Sequence, residues 1–147
     1  MIDKKLDGSD LERFLKAQDP VYAEVKKELK NGKKRTHWMW FIFPQLKSLG
    51  KSTTAEFYGI KSRAEAEKYL KHPILGKRLL ECCEILKELE ENSATRIFGF
   101  PDDRKLKSCL TLFSEISPEN TIFEYLLHKF FSGEKDEKTI EIISTEN

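Results

Sequence analysis

Four side chains with distinct chemistry lie in or beside the most aromatic stretch of this chain. Arg35 supplies a fixed positive charge, His37 a titratable ring, and Trp38 an indole that can stack and donate a hydrogen bond. Gln45 adds an amide directly after Pro44, where a helix must end or bend. This combination suits an anionic ligand that carries a ring. The same stretch also fits a helix that is buried on nearly every side, and the residues alone leave both interpretations open.

A second polar group lies further along the chain, in a segment that begins with two aspartates. Lys107, Ser108 and Thr111 have spacings of one, three and four residues, which place them near one face of a helix. A positive charge beside two hydroxyl groups can hold a phosphate or a ribose. Asp103 can orient a water molecule or a ribose hydroxyl, so it joins His37, a potential general acid–base, as a candidate catalytic residue. The alternative is an ordinary amphipathic helix with solvated lysines.

Established motifs for catalysis and for metal binding are missing from the sequence. It contains no Walker loop, no dinucleotide-binding glycine motif, no zinc-protease motif and no nucleophile elbow. The triplet Gly50-Lys51-Ser52 also occurs in phosphate loops, but the upstream glycine of such loops is missing. The histidines are too scattered for a local metal signature, and no Cys-x-x-Cys pair occurs. We therefore predict no metal site and no cofactor, and we interpret Cys82, Cys83 and Cys109 as reduced, buried side chains.

Length and composition indicate one folded domain. The chain has 147 residues, of which 39% are hydrophobic, 11% aromatic and 35% charged. We expect a single helical domain over residues 1–147, with an ordered core at about 9–143. The net charge of +1 gives little long-range attraction for nucleic acid or anionic membranes. Because the chain has neither an apolar signal segment nor an apolar run near about 20 residues, we expect a cytoplasmic protein without a membrane span.

Helical periodicity dominates the sequence, and no segment alternates as a half-buried strand does. We therefore predict an all-α fold, a single compact bundle of about seven helices, several of them short. Ser9 should cap the first helix, and Ser62 should cap the helix over residues 63–71 with Glu65 completing a capping box. The longest helix is predicted over residues 73–90, with an apolar stripe formed by Leu75, Leu79, Cys82, Leu86 and Leu89. We expect it to be central to the packing, with Leu79, Cys82 and Leu86 almost fully buried.

The run Lys34–Gln45 resembles the signature of an uncharacterised bacterial family that is often labelled calpastatin-like. Further segments are similar to the same family, at residues 50–52, 58–60, 69–76, 97–103, 105–108, 111–113, 130–133 and 136. The resemblance spans nearly the whole chain and implies a compact all-helical domain. It does not imply a calpain inhibitor, because the chain lacks repeats, and it assigns no catalytic residues, because the family has no established activity. Phe100 and Cys109 depart from the residues usual in that family.

These observations favour a small helical protein that binds, and could also process, a phosphate-bearing, nucleotide-like small molecule such as an ADP-ribose or NAD derivative. The expected site is a cleft between residues 35–45 and the helix over residues 102–111. The alternative is a helical protein–protein interaction module without catalytic activity, which would use exposed aromatic side chains as anchors. Nucleic-acid binding is the third option, and the near-neutral charge opposes it.

Overall fold

Ten α-helices, seven of them with seven residues or more, build the part of the chain that this computed structural model describes, residues 10–146. In chain order they are α1 (Glu12–Gln18), α2 (Tyr22–Lys30), α3 (Met39–Ile42), α4 (Thr53–Tyr58), α5 (Arg63–Lys71), α6 (Leu75–Glu88), α7 (Ala94–Phe98), α8 (Asp102–Ile116), α9 (Thr121–Phe131) and α10 (Glu137–Ser144). A short 3-10 helix covers Lys47–Leu49, and an isolated parallel bridge joins Leu46 to Ile60. Residues 10–146 contain no strand, which confirms the all-α prediction. The cap predicted at Ser9 lies outside the described residues.

Helix α8 lies at the centre of the packing, a place that the sequence analysis assigned to α6. It contacts α5, α7, α9 and α10, and its seven successive residues 108–114 are all buried. Over residues 108–114 the helix has no solvated side, so the hydroxyls there must find partners within the protein. Ser108, Thr111 and Ser114 donate to backbone carbonyl oxygens of α8 itself. With 15 residues, α8 is also one residue longer than α6.

Four of the five residues in the apolar stripe predicted for α6 are buried; the fifth, Leu89, is half-buried and follows the last residue of the helix. Leu79 is 1% exposed, and Cys82 and Leu86 are fully buried. Burial raises the pKa of the Cys82 thiol to about 12, and it also raises the pKa values of Cys83 and Cys109. All three cysteines are free and buried, so they act as small apolar side chains, as predicted.

Two side chains from outside α6 satisfy the backbone groups at its ends. At the start, the His72 Nδ1 atom accepts hydrogen bonds from the backbone N–H groups of residues 74 and 75, at 3.1 and 3.2 Å. At the end, the Lys129 ammonium group of α9 donates to the carbonyl oxygens of residues 86, 87 and 89. A cation at the carbonyl end of a helix also complements the helix dipole. The hydrogen bonds from Lys129 fix the end of α6 against α9.

Arg13 ties α1 to α4 and α5. Its guanidinium group donates to the carbonyl oxygens of Phe57 at 2.7 Å and Gly59 at 3.0 Å. It also pairs with the Glu65 carboxylate at 3.2 Å, and both side chains of that pair are buried. The predicted cap of α5 is present, because the Ser62 hydroxyl accepts from the Glu65 backbone N–H. The Glu65 carboxylate accepts from the Lys61 backbone N–H at 2.9 Å, one residue before the position that a capping box uses, and it also reaches across the fold to Arg13.

Candidate functional site

A buried carboxylate from α2 holds the segment that contains both tryptophans. Glu28 is 2% exposed, and its oxygens accept hydrogen bonds from three successive parts of the chain. The donors are the backbone N–H of Arg35 at 2.8 Å, the backbone N–H and hydroxyl of Thr36 at 3.2 and 2.7 Å, and the indole N–H of Trp38 at 2.9 Å. The backbone is therefore fixed before α3 begins, with Trp38 turned inward and the Arg35 side chain left exposed.

The ionised form of Glu28 is strongly favoured. Burial by itself raises the pKa of this carboxyl group, because a charge is less well solvated there. The hydrogen bonds from Arg35, Thr36 and Trp38 outweigh that effect and lower the pKa from 4.5 to about 2. A carboxylate with this many donors is a structural anchor, not a proton donor near neutral pH.

Residues 34–45, which we call the tryptophan segment, meet the first turn of α8 on one face of that helix. The Lys34 ammonium lies 2.9 Å from the Asp102 carboxylate, and the Lys105 ammonium lies 4.1 Å from the centre of a Trp40 ring. Asp102 and Lys105 are three residues apart and therefore share a side of the helix. The two segments singled out in the sequence are thus in contact, through residues other than those proposed for ligand binding.

A pocket of about 600 Å³ opens on a different face of α8, where α7, α9 and the residues before α10 surround it. We call it the α8 pocket. It is lined by Asn92, Ser93, Ala94, Thr95, Asp103, Arg104, Lys107, Ser108, Phe130, Phe131 and Asp136. At 100° per residue, Asp103, Arg104 and Lys107 point away from the side that carries Lys105. One helix therefore presents separate faces to the tryptophan segment and to the pocket.

Two cations of the α8 pocket are available to an anion. Arg104 is exposed and forms no ion pair within residues 10–146; its guanidinium carbon lies 5.3 Å from the centre of the Phe100 ring. The Lys107 ammonium lies 3.4 Å from Glu134, whose side chain is 75% exposed. Water screens such a surface pair, so little is lost when the lysine turns to another anion. The same ammonium lies 5.9 Å from the centre of the Phe131 ring.

Two carboxylates complete the polar lining. Asp103 accepts a hydrogen bond from the Thr95 hydroxyl at 2.6 Å, which joins α7 to α8. Asp136 caps α10, because it accepts from the backbone N–H and the hydroxyl of Thr139 at 3.0 and 2.5 Å. The same cavity therefore presents positive groups and hydrogen-bond acceptors together with the rings of Phe130 and Phe131.

The predicted residues of α8 lie together, but they do not all reach the pocket. Asp103, Lys107 and Ser108 line it. Thr111 is fully buried beneath it, where its hydroxyl donates to the Lys107 carbonyl at 2.8 Å and accepts from the Asp136 backbone N–H at 2.9 Å. Thr111 therefore positions the chain before α10, and its predicted direct contact with a ligand is wrong because no part of it is exposed.

None of the four residues predicted between 35 and 45 lines the α8 pocket. Trp38 is 1% exposed, so the prediction that it stacks on a ligand is wrong; its ring packs against Phe43 and Phe98 in the core. Gln45 is half-buried, and its backbone carbonyl oxygen accepts a hydrogen bond from the Ile60 backbone N–H at 2.9 Å. Arg35 and His37 have exposed side chains.

Sequence reasoning missed several residues that line the α8 pocket. Arg104 could have been found, because it lies three residues before Lys107 on the same helix face. Phe130, Phe131 and Asp136 lie more than twenty residues after Ser108 in the chain, and only tertiary packing brings them to it. Their only signal was that they fall in segments that resemble the family.

Within residues 10–146, no group of three or more histidine, cysteine, aspartate or glutamate side chains is placed to hold a metal ion. In the same part of the chain, every helix is too short or too polar to cross a lipid bilayer.

Comparisons with known proteins agree with the observed fold. The model of a family described as "Protein of unknown function (DUF1810)" matches residues 8–143. The chain is also similar to a solved structure, the conserved hypothetical protein Rv1873 from Mycobacterium tuberculosis. The two are 47% identical, the match covers 93% of this chain and 98% of that one, and the TM-score is 0.91. No match to a curated protein is found. Neither description mentions calpastatin or a ligand.

Proposed function

The chain belongs to the DUF1810 family of proteins of unknown function, and we propose that its α8 pocket binds a phosphate-bearing, nucleotide-like small molecule such as ADP-ribose. The ligand class is the one that the sequence favours, but the site is the α8 pocket and not a cleft between residues 35–45 and α8. The ligand lies against Asp103, Lys107 and Ser108, and the residues of the tryptophan segment are not needed for its binding.

One observation carries this proposal, the convergence of three kinds of side chain in a single cavity. Arg104 and Lys107 supply positive charge for a phosphate, and such charge-assisted hydrogen bonds are the stronger ones. Asp103 offers a carboxylate to ribose hydroxyls, and the rings of Phe130 and Phe131 offer apolar surface to a base. The cavity volume of about 600 Å³ lies within the usual range for small-molecule sites, about 300–1,000 Å³.

Thermal unfolding with a set of related compounds tests the ligand class. The compounds are ADP-ribose, AMP, adenosine, ribose 5-phosphate and inorganic phosphate. A ligand that binds only the folded state raises the melting temperature, and at equal concentration a tighter ligand raises it more. We expect compounds that carry both a ring and a phosphate to raise it more than adenosine or inorganic phosphate does. Product formation in the same samples shows whether a reaction follows binding.

Titration calorimetry on variants locates the site. Arg104→Ala and Lys107→Ala should each weaken binding of the best compound by about 1–3 kcal/mol, the scale of a hydrogen bond to a charged group. Lys27→Ala is the matched control, because Lys27 is exposed on α2 and does not line the pocket. If no nucleotide shifts the melting temperature, or if both pocket variants bind as well as the control, the proposed function is rejected.

A further inference from the structure

A second cavity adjoins the α8 pocket, where the chain turns from α9 into α10. Its volume is about 540 Å³, and Lys107 and Asp136 line both cavities. Its other lining residues lie before α10 or on the first turn of that helix, and they are Glu134, Lys135, Glu137, Lys138 and Ile140. We call it the α10 pocket. Because two lining residues are shared, a ligand bound beside Lys107 has access to both cavities.

The wall that the two pockets share is fixed by a tight turn and a hydrogen bond. The backbone φ angles of Ser132 and Gly133 are positive, 56° and 83°, and a Cβ atom at Gly133 would lie 2.8 Å from the His128 ring. After this turn the chain returns to α8, where the Asp136 backbone N–H donates to the Thr111 hydroxyl at 2.9 Å. The fold itself therefore sets the position of Asp136 between the pockets.

The linings of the two pockets differ in chemistry. Phe130 and Phe131 belong to the α8 pocket, whereas no described residue that lines the α10 pocket carries a ring. The α10 pocket presents carboxylate and ammonium groups instead. Among them, Glu137 and Lys138 are exposed and form no ion pair within residues 10–146. Acceptors beside donors match the hydroxyl groups of a sugar, whereas a base is better held by rings such as those of the α8 pocket.

Lys107 lies between the two pockets, in a position to bind phosphate groups that join a base to a sugar. Its ammonium lies 3.4 Å from the Glu134 carboxylate of the α10 pocket and 5.9 Å from the centre of the Phe131 ring of the α8 pocket. When a phosphate replaces Glu134 beside this ammonium, the carboxylate is free to accept from a sugar hydroxyl. Lys135 does not compete for the phosphate, because its ammonium pairs with Glu115 at 2.7 Å.

We propose that the α10 pocket binds the sugar half of a nucleoside diphosphate sugar. The base lies against Phe130 and Phe131 in the α8 pocket, the diphosphate lies on Lys107, and the sugar hydroxyls bond to Glu137 and Lys138. This assignment rests on the proposed function, because it takes the α8 pocket as the site of the nucleotide. It adds the second sugar as the group that the protein selects.

Three ligands that share one nucleoside test the assignment. Titration calorimetry gives the dissociation constants of AMP, ADP and ADP-ribose with the wild-type protein. We expect ADP-ribose to bind about tenfold more tightly than ADP, the factor that one hydrogen bond to a charged group supplies. The terminal phosphate of ADP gives it more negative charge than ADP-ribose, so the cations alone would favour ADP. Tighter binding of ADP-ribose therefore reports contacts of the sugar.

A double variant locates the sugar. Glu137→Ala combined with Lys138→Ala removes both exposed side chains from the α10 pocket and changes no residue that lines the α8 pocket. ADP-ribose should then bind no more tightly than ADP, while the affinity for AMP stays that of the wild type. Glu24→Ala combined with Lys27→Ala is the matched control, since both residues are exposed on α2 and line neither pocket. Circular dichroism spectra of both double variants should match that of the wild type.

The outcomes separate the sugar site from the proposed function. If AMP binds but ADP-ribose binds no more tightly than ADP, the sugar site is rejected and the α8 pocket stands as a nucleotide site. The same holds if the α10 double variant keeps the preference for ADP-ribose. Equal weakening of all three ligands in that variant also rejects the sugar site, because the effect would then act through the α8 pocket. If none of the three ligands binds, the proposed function and the sugar site are both rejected.

Discussion

Glu28 holds the most specific stretch of this sequence in place. Its carboxylate accepts hydrogen bonds from Arg35, Thr36 and Trp38 and is 2% exposed. In the sequence, an indole and an imidazole beside a cation fit either a ligand site or a helix buried on nearly every side. The structure gives the indole an internal partner instead, so a buried polar residue on α2 explains why the polar end of Trp38 is tolerated in the core.

Substitution of Glu28 by glutamine should destabilise the protein. Glutamine keeps the shape but removes the charge, and its amide group brings two donors towards groups that already donate. We expect the free energy of unfolding to fall by about 2–4 kcal/mol, the scale of one or two hydrogen bonds to a charged group. Urea denaturation measures the change. Glu24→Gln, exposed one turn earlier on α2, is the control and should change stability by less than about 0.5 kcal/mol.

The same carboxylate should make stability depend on pH. Its pKa falls from 4.5 to about 2 on folding, so the unfolded state binds the proton more readily. Its contribution is therefore present above pH 4.5 and is lost as the pH falls towards about 2. The wild type should lose up to about 3 kcal/mol more than Glu28→Gln over this range. Parallel stability profiles of the two proteins in acid would contradict this assignment.

At the scale of elements, α8 presents two faces to different neighbours. Lys105 and Asp102 face the tryptophan segment, whereas Asp103 and Lys107 face the α8 pocket. The spacing of the polar residues correctly predicts that Lys107 and Ser108 lie near each other, because helical geometry is local. It cannot predict which neighbour each face meets, and the α8 pocket therefore lies on a different face from the one that meets residues 35–45.

The packing of α6 gives a prediction that does not depend on any ligand. Leu79 is 1% exposed on the stripe that faces the core. Leu79→Ala should lower the free energy of unfolding by about 2–5 kcal/mol, because it removes buried methyl groups and leaves a cavity. Glu84→Ala, exposed on the same helix, should change it by less than about 0.5 kcal/mol. Equal denaturation midpoints for the two variants would mean that α6 buries a different face.

At the scale of the whole molecule, long-range contacts join the two ends of the described chain to one hydrophobic core. This cluster extends from Phe14 on α1 to Ile143 on α10. Polar contacts reinforce it over similar distances, such as Arg13 with Glu65 and Lys129 with the end of α6. With a shared core, local loss of one helix should weaken all the others, which is the basis of cooperative unfolding.

We therefore expect a single unfolding transition. Tryptophan fluorescence reports on Trp38 and Trp40 near the start of α8, and far-ultraviolet circular dichroism reports on all the helices. The two signals should give the same urea midpoint, because an all-or-none transition moves every probe together. A fluorescence change that precedes the loss of helix would instead show that the tryptophan segment detaches from an otherwise folded protein.

The sequence by itself determined the helical class of this protein, the buried face of α6, the reduced cysteines and the local proximity of Asp103, Lys107 and Ser108. All of these follow from periodicity and composition, which act over one or two helical turns. Tertiary structure alone decided that Trp38 is buried with its indole N–H bonded to Glu28, and that α8 is the central helix. It also decided that Phe130, Phe131 and Asp136 line the α8 pocket. Those outcomes depend on which helix packs against which, and that choice is made by contacts between residues far apart in the chain.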